Sequence, residues 1–230
     1  MTDLRLIGGT ALAEPLASEP TLRLPPGRHG IPADLVRTHQ RQRLLEAAAA
    51  ALAEQGYGRV TAARVTELAG VSSRTFYQHF EDLWACLLAA YETEAGMLCA
   101  EIEVACTAER RRGSGRITDQ TSTADVGRAG VGAALGFLAA EPAVARLLSA
   151  EPPPQITALA EARRELIERL GAMLRAVVLT DPDGVTPLPG LERRLIGAAL
   201  ALVSTRAADG DPRRLRDLEP ELSELLLAPL

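Results

Sequence analysis

Lysine is absent from this 230-residue chain, whose 25 basic residues are all arginine. Aromatic residues make up only 3% of the sequence, so its cores must be filled largely by alanine, leucine and valine, and the first two are strong helix formers. No apolar run approaches the roughly 20 residues that span a bilayer, and the N-terminus lacks a basic start followed by an apolar core. With 47% hydrophobic and 24% charged residues, the composition excludes disorder throughout and predicts a cytoplasmic protein with no membrane partner.

Catalytic and metal-binding signatures are also missing from the sequence. Its three histidines lie toward the N-terminal end, and none has ligand spacing with another. Cys99 and Cys106 would share a helix face roughly 10 Å apart, too far for a disulfide within one helix, so with Cys86 they are interpreted as buried apolar residues. We find no nucleophile spaced to meet a base, no pair of acidic residues spaced for catalysis and no phosphate-binding loop. We therefore expect no enzyme, no metal and no cofactor.

The most informative segment is residues 60–80, which encode two short helices with a glycine turn between them. Thr61 has the side chain preferred at a helix N-cap, and the valines on either side of it at 60 and 65 can form a hydrophobic staple. Gly70 follows where a helix often ends in a left-handed residue. Ser72 repeats the cap, with Val71 stapling to Phe76. The segment predicts a helix-turn-helix.

The second of these helices is expected to present a polar face. Phe76 and Phe80, four residues apart, point into the core. The residues left on the outer face are Ser73, Arg74, Tyr77 and Gln78. In a major groove, arginine can pair with guanine and glutamine with adenine, which makes Arg74 and Gln78 the base-reading candidates. For an isolated helix a merely solvated face would be the better interpretation, but the turn beside it favours DNA.

Five segments of the chain resemble the DNA-binding domain of the tetracycline-repressor (TetR) family, over about residues 38 to 90. They are Leu44–Ala48, Glu54–Tyr57, Val60–Thr61, Leu68–Ser72 and Thr75–Phe80. The resemblance implies an all-α fold in which helices 2 and 3 read DNA and a variable helical domain behind them dimerises and binds a small molecule. The DNA contacts expected by position and from the motif are Thr61, Arg64, Ser72, Ser73, Arg74, Thr75, Tyr77, Gln78 and His79.

The resemblance implies a regulator, most often a repressor, that binds a palindromic double-stranded DNA operator as a homodimer and is released by a small hydrophobic effector. Two departures from the family pattern matter: Ala51 and Leu52 stand where a Leu-Phe pair is common, and the second lies at the start of helix 4. Leu83 follows the expected helix 4 cap Asp82 where many members have a lysine that meets a phosphate. The alternative is therefore a helical protein-interaction module of the same fold that has lost specific DNA binding.

The uneven charge distribution supports DNA as the partner, although the net charge is -5. Residues 34–80 contain six arginines and four acids, giving +2. Residues 81–230 contain 16 arginines and 23 acids, giving -7. An acidic rear domain repelled by phosphate would help to orient the basic end toward DNA.

Three parts are expected along the chain: a flexible N-terminal extension (1–33), a helix-turn-helix domain (34–82) and a helical effector and dimerisation domain (83–230). About nine helices are predicted. Helix 1 should run from near Thr38 to Gln55, helix 4 from Asp82 to about Arg110, and a loop should follow to Ser122. Helices 5 to 9 follow between breakers at the prolines and glycines near 142, 152–154, 182–190 and 210–212.

Two further sets of residues complete the expectations. Met97, Phe137 and Met173 are candidates for lining an effector pocket, although such residues at helical spacing are more often core. The apolar stripes of the two terminal helices are predicted to form a four-helix interface between two copies of the chain. The alternative is that both stripes face the core of their own domain. These residues are Leu191, Leu195, Ala199, Leu202, Leu215, Leu218, Leu222 and Leu225.

Overall fold

The computed structural model describes residues 32–114, 122–178, 190–209 and 212–227, and these residues form helices and no strand. The α-helices are α1 (Ala33–Gln55), α2 (Ala62–Ala69), α3 (Ser73–His79), α4 (Leu83–Ser114), α5 (Thr123–Ala140), α6 (Pro142–Ser149), α7 (Thr157–Val178), α8 (Leu191–Ala208) and α9 (Glu219–Leu227). A 3-10 turn, Pro212–Leu218, leads into α9. The all-α prediction is confirmed. Most of the predicted N-terminal extension lies outside the described residues.

Helices α1 to α3 form a small N-terminal unit, called the head below. Its core contains small and medium side chains from α1, such as Leu44 and Ala48, packed against Phe76 and Phe80. The first helix begins at Ala33, five residues before the predicted Thr38. Its start is compatible with Pro32, whose carbonyl accepts the Val36 N–H at 3.2 Å and whose missing N–H costs nothing there.

Helix α4 connects the head to the rear of the molecule as one continuous 32-residue helix. Asp82 caps it by accepting the Ala85 N–H at 2.8 Å, which confirms the predicted start. It continues to Ser114, beyond the predicted end near Arg110, and Glu109 and Arg112 form an ion pair at 3.0 Å within its last turns. Its three cysteines are buried and unpaired, and burial raises the pKa of the Cys86 thiol to about 12.

Helices α5 to α9 pack around the rear part of α4. The predicted ninth helix is split, because an α-helix cannot continue through Pro220, which lacks an N–H and clashes with the preceding turn. The chain instead forms the 3-10 turn and restarts at Glu219, which places the proline in the first turn of α9. Leu215 and Leu218 of the 3-10 turn are buried in the same core as α5 and α8.

Within the described ranges, no single helix is both long and apolar enough to cross a membrane. The bent pair α5 and α6, which meet at 116°, reaches the required length and hydropathy only when the two are taken together.

Candidate functional site

Two side-chain caps and one left-handed glycine form the turn between α2 and α3 and the starts of both helices. The Thr61 side chain accepts the Arg64 N–H at 3.2 Å, and the Ser72 side chain accepts the Thr75 N–H at 3.1 Å. Between the two helices Gly70 adopts φ 60° and ψ 39°, the left-handed conformation that glycine reaches without a steric penalty. Both caps and the turn were predicted, and all three are confirmed.

The exposed face of α3 consists of the four side chains that the sequence placed there. Phe76 is fully buried, and its ring meets that of Phe80 at 5.9 Å between centroids. Tyr77 is 62% exposed, and its ring lies edge-on to that of Phe76 with 5.2 Å between the ring centroids. Ser73, Arg74 and Gln78 are exposed around it.

Three of the other predicted contacts, Thr61, Ser72 and Thr75, have a structural role in the helix starts. Thr61 and Ser72 are exposed and cap α2 and α3. The Thr75 hydroxyl lies 2.9 Å from that of Ser72 and is half-buried. These hydroxyls therefore hold the two helices in position as much as they offer donors to a ligand.

Arg64 is engaged within the protein. Its guanidinium donates to Glu54 at 2.8 and 3.0 Å and to Glu67 at 2.9 Å, and these hydrogen bonds raise its pKa. The first pair joins α2 to the end of α1, ten residues earlier, so local spacing could not reveal it. A DNA contact at Arg64 would have to share the guanidinium with these two carboxylates, and the pair with Glu54 fixes α2 on α1.

His79 is also less available than its position suggested. It is half-buried, and burial, together with the positive charges of Arg37 and Arg41, lowers its pKa, so it is neutral at pH 7. In the protein without DNA, these surroundings disfavour the charged form of His79. Arg41 lies over the Phe80 ring at 5.3 Å, and both arginines are exposed on α1 beside α3. Neither arginine was among the DNA contacts expected on α2 and α3, although the i, i+4 spacing could have identified the pair.

Behind the head, a cavity of about 120 Å³ lies between α4, α5, α7, α8 and α9. Representative lining residues are Leu98, Leu135, Met173, Ile196, Val203 and Leu226. No described residue that lines it carries a charge, a hydroxyl or an amide. Such a space offers apolar burial and no polar recognition.

Only one of the three predicted pocket residues lines this cavity. Met173 does so, whereas Met97 is 40% exposed and Phe137 packs against the core outside the lining. The neighbour of Met97, Leu98, points into the cavity instead. The prediction named the correct helix but the wrong residue, because neighbouring residues of a helix point about 100° apart.

Most of the predicted dimer stripe faces the core of its own chain. Leu195, Ala199, Leu215, Leu218 and Leu222 are each at most 9% exposed, because α8, the 3-10 turn and α9 close the rear bundle. These five side chains are therefore unavailable to a partner. Leu191, Leu202 and Leu225 are half-buried.

Besides α4, helix α6 connects the head to the rear domain. Arg146 on α6 donates to the Ala53 carbonyl near the end of α1. Two residues later on α6, the Leu148 carbonyl accepts a hydrogen bond from the Tyr91 hydroxyl of α4 at 3.5 Å. Helix α6 is thus attached both to the head and to α4.

Titratable groups at this junction have shifted pKa values. Burial raises the pKa of Tyr57 in the head to about 12, while Arg163 on α7 lowers it. Burial raises the pKa of Glu94 on α4 to about 7, and the charges of Glu141 and Glu46 add to the effect. Glu94 is therefore close to half-ionised at neutral pH, where α1, α4 and the start of α6 meet.

Comparison with known proteins connects this geometry to a family. The family model of the tetR bacterial regulatory proteins matches residues 44–90, which contain most of the head and the start of α4. Among curated proteins no significant match is found.

Several solved structures share the fold over most of their length. The fatty acid degradation regulator FadR from Bacillus halodurans is 18% identical, with a TM-score of 0.64, covering 82% of this chain and 98% of its own. FadR from Bacillus subtilis, in complex with stearoyl-CoA, is 15% identical, with a TM-score of 0.60 and the same coverages. PfmR, a TetR family regulator from Thermus thermophilus, is 19% identical, with a TM-score of 0.55, covering 83% and 96%. At these identities the likeness shows the fold.

Proposed function

Through residues 44–90 the chain belongs to the TetR family of bacterial transcription regulators, and from this premise we propose that it binds a palindromic operator as a homodimer and leaves it when an acyl-chain effector binds. Members of this family are transcription factors and not enzymes. The observation that carries the proposal is the exposed face of α3 on a capped, glycine-turned support.

The chemistry of that face fits a major groove. Arg74 is exposed and can donate two hydrogen bonds to the O6 and N7 of guanine, and Gln78, one turn later, can pair with adenine. The Tyr77 hydroxyl suits a phosphate, which positions the helix without reading sequence. Arg37 and Arg41 on the neighbouring α1 add positive charge where Leu83 supplies none. Phosphate attraction at this end therefore does not depend on the first residue of α4.

A second copy would supply the other half of the operator. Two α3 helices roughly 34 to 36 Å apart match two half-sites one DNA turn apart. We assign the dimer contact to the outer face of α8, where Ala198, Ala201 and Thr205 are exposed at alternating spacing and Leu202 is half-buried beside them. Side chains this small allow two helices to approach closely.

The effector proposal rests on the cavity and its connection to the head. The lining is apolar throughout, which suits a hydrocarbon chain, and the structurally similar Bacillus subtilis FadR was solved with stearoyl-CoA. Leu98, Ile102 and Cys106 of α4 line the cavity, and the same helix reaches the head, where the Cys86 thiol contacts the Leu44 carbonyl at 3.7 Å. A ligand that fits only one position of α4 would change the spacing of the two α3 helices.

Titration of the purified protein on the DNA upstream of its own gene tests the DNA half of this proposal. We expect tight binding that weakens steeply as salt rises, because phosphate contacts release counterions. Replacing Arg74→Ala should cost about 1 to 3 kcal/mol on the operator and relax discrimination at one base pair, whereas Tyr77→Phe should weaken all sequences more evenly. The same titration with butyryl- to stearoyl-CoA, against unesterified CoA, tests release.

Arg112→Ala is the matched control, because this exposed arginine pairs with Glu109 at the far end of α4. It should leave operator binding unchanged. Equal losses on operator and random DNA would remove Arg74 from base reading. Binding that is absent at low salt, or insensitive to salt, would instead favour a protein-interaction module of the same fold.

A further inference from the structure

One end of the effector cavity is closed by the last turn of α9. Leu227 lines the cavity together with Gly127 and Gly130 of α5, Cys106 of α4 and Val177 of α7. Cys106 lies eight residues beyond Leu98 along α4, about 12 Å farther from the head. This is therefore the end of the cavity distal to the head.

At this distal end Leu227 is seated directly on the backbone of α5. A Cβ atom built on Gly127 would lie 2.5 Å and 2.9 Å from the two methyl carbons of Leu227, closer than real Cβ contacts. The glycine is thus what allows the leucine to reach the cavity. A similar contact brings the Cys106 sulfur within 2.9 Å of a Cβ on Gly130. At both glycines of α5, a side chain from another helix occupies the space that a Cβ atom would fill.

The remaining cavity is small for a long chain. Its volume of about 120 Å³ is close to that of the apolar cavities of about 150 Å³ that hold benzene. A stearoyl chain is much larger. Leu227, which lies at the distal end, is half-buried and belongs to the short terminal helix α9.

We propose that Leu227, seated on Gly127, sets the longest straight hydrocarbon chain that the cavity accepts. The inference rests on the proposed acyl-chain effector and adds the residue that determines chain length. Each methylene buried in the cavity strengthens binding about fourfold, and the gain ends where the chain meets Leu227. Truncating Leu227 to alanine removes three carbons and moves that limit outward by about three methylenes, a gain on the order of 50-fold for chains that the native protein excludes.

The test measures binding of two series to the full-length protein by calorimetry and thermal shift. Acyl-CoA esters from butyryl to stearoyl probe the effector, and straight-chain alcohols from butanol to dodecanol probe the cavity alone. In both series the native protein should show affinity rising with length to a limit. Leu227→Ala should shift that limit to longer chains. Ile167→Ala, which removes the same number of carbons from a half-buried site on α7 outside the lining, should not.

A second pair of variants tests the contact without depending on one truncation. Gly127→Ala should shorten the limit or lower the melting temperature, because its methyl collides with Leu227. Gly127→Ala combined with Leu227→Ala should recover both, since the new methyl occupies the vacated space. An unchanged limit in Leu227→Ala, or an equal shift in Ile167→Ala, overturns the assignment of Leu227. If alcohols show the shifted limit while no acyl-CoA binds, the effector class is wrong and the role of Leu227 stands.

Discussion

Replacing Glu94→Gln should make the protein more stable at alkaline pH and leave it nearly unchanged at acid pH. Glu94 lies on α4 and is 8% exposed. Burial raises its pKa from 4.5 to about 7, and the carboxylates of Glu141 and Glu46 contribute to that rise by repulsion. Glu141 belongs to the rear domain and Glu46 to the head, so the charge of Glu94 is opposed from both sides.

The sign follows from proton binding. Between pH 4.5 and pH 7 the folded protein holds a proton on Glu94 that the unfolded chain has released. The stabilisation from this proton is complete below pH 4.5 and is lost as pH rises through 7. At 1.36 kcal/mol per pKa unit, a shift of this size corresponds to about 3 kcal/mol in the free energy of unfolding. Glutamine keeps the uncharged shape at every pH and should remove this loss.

Urea unfolding of both proteins from pH 4 to pH 9, followed by Trp84 fluorescence and circular dichroism, measures the difference directly. We expect the two free energies to coincide near pH 4.5 and to separate by up to about 3 kcal/mol at pH 8, with the variant more stable. Glu101→Gln, an exposed glutamate of the same helix, is the control and should show no such trend. A variant less stable than the native protein at pH 8, or a difference that stays constant with pH, would refute the reasoning.

Two further predictions concern the support of the candidate DNA surface. Gly70→Ala should lower the free energy of unfolding by about 1 to 2 kcal/mol because alanine is strained at φ 60°, whereas Gly96→Ala, inside α4 where a Cβ meets nothing within 4 Å, should raise it by about 0.5 to 1 kcal/mol. Equal effects in chemical unfolding would contradict the role of the left-handed turn. Ser72→Ala should cost about 1 kcal/mol through loss of the α3 cap, and Ser73→Ala much less; if circular dichroism melts show the reverse order, the cap assignment is wrong.

The head was predictable because its structure is specified by local residues. Thr61, Gly70 and Ser72 each act within three residues of their own position, so the sequence predicts the boundaries of α2 and α3 to within a residue. The pairing of Arg64 with Glu54 was not predictable, since it depends on how α2 lies against α1. The same limit affected His79, whose neutrality comes from burial and from arginines on another helix.

In the rear domain, the spacing of apolar residues predicts the helices but not what covers their apolar faces. Regular spacing placed Leu195 and Leu222 on apolar stripes, but it cannot say whether the chain itself or a second copy covers a stripe. In the structure the chain covers it, and the exposed face of α8 is the alanine-rich one that a hydrophobic pattern overlooks. The split of the last helix was readable in principle from Pro220, because a proline marks a first turn as readily as it ends a helix.

The hydrogen bond from Arg146 to the Ala53 carbonyl has a mechanical consequence. If α4 were the only connection between the head and the rear domain, the head could rotate about that connection in any direction. The second attachment, on α6, braces the opposite end of α1, so the two attachments define an axis. We therefore expect a displacement of α4 to rotate α3 about that axis, and Arg146→Ala to weaken the attachment of α1 to α6.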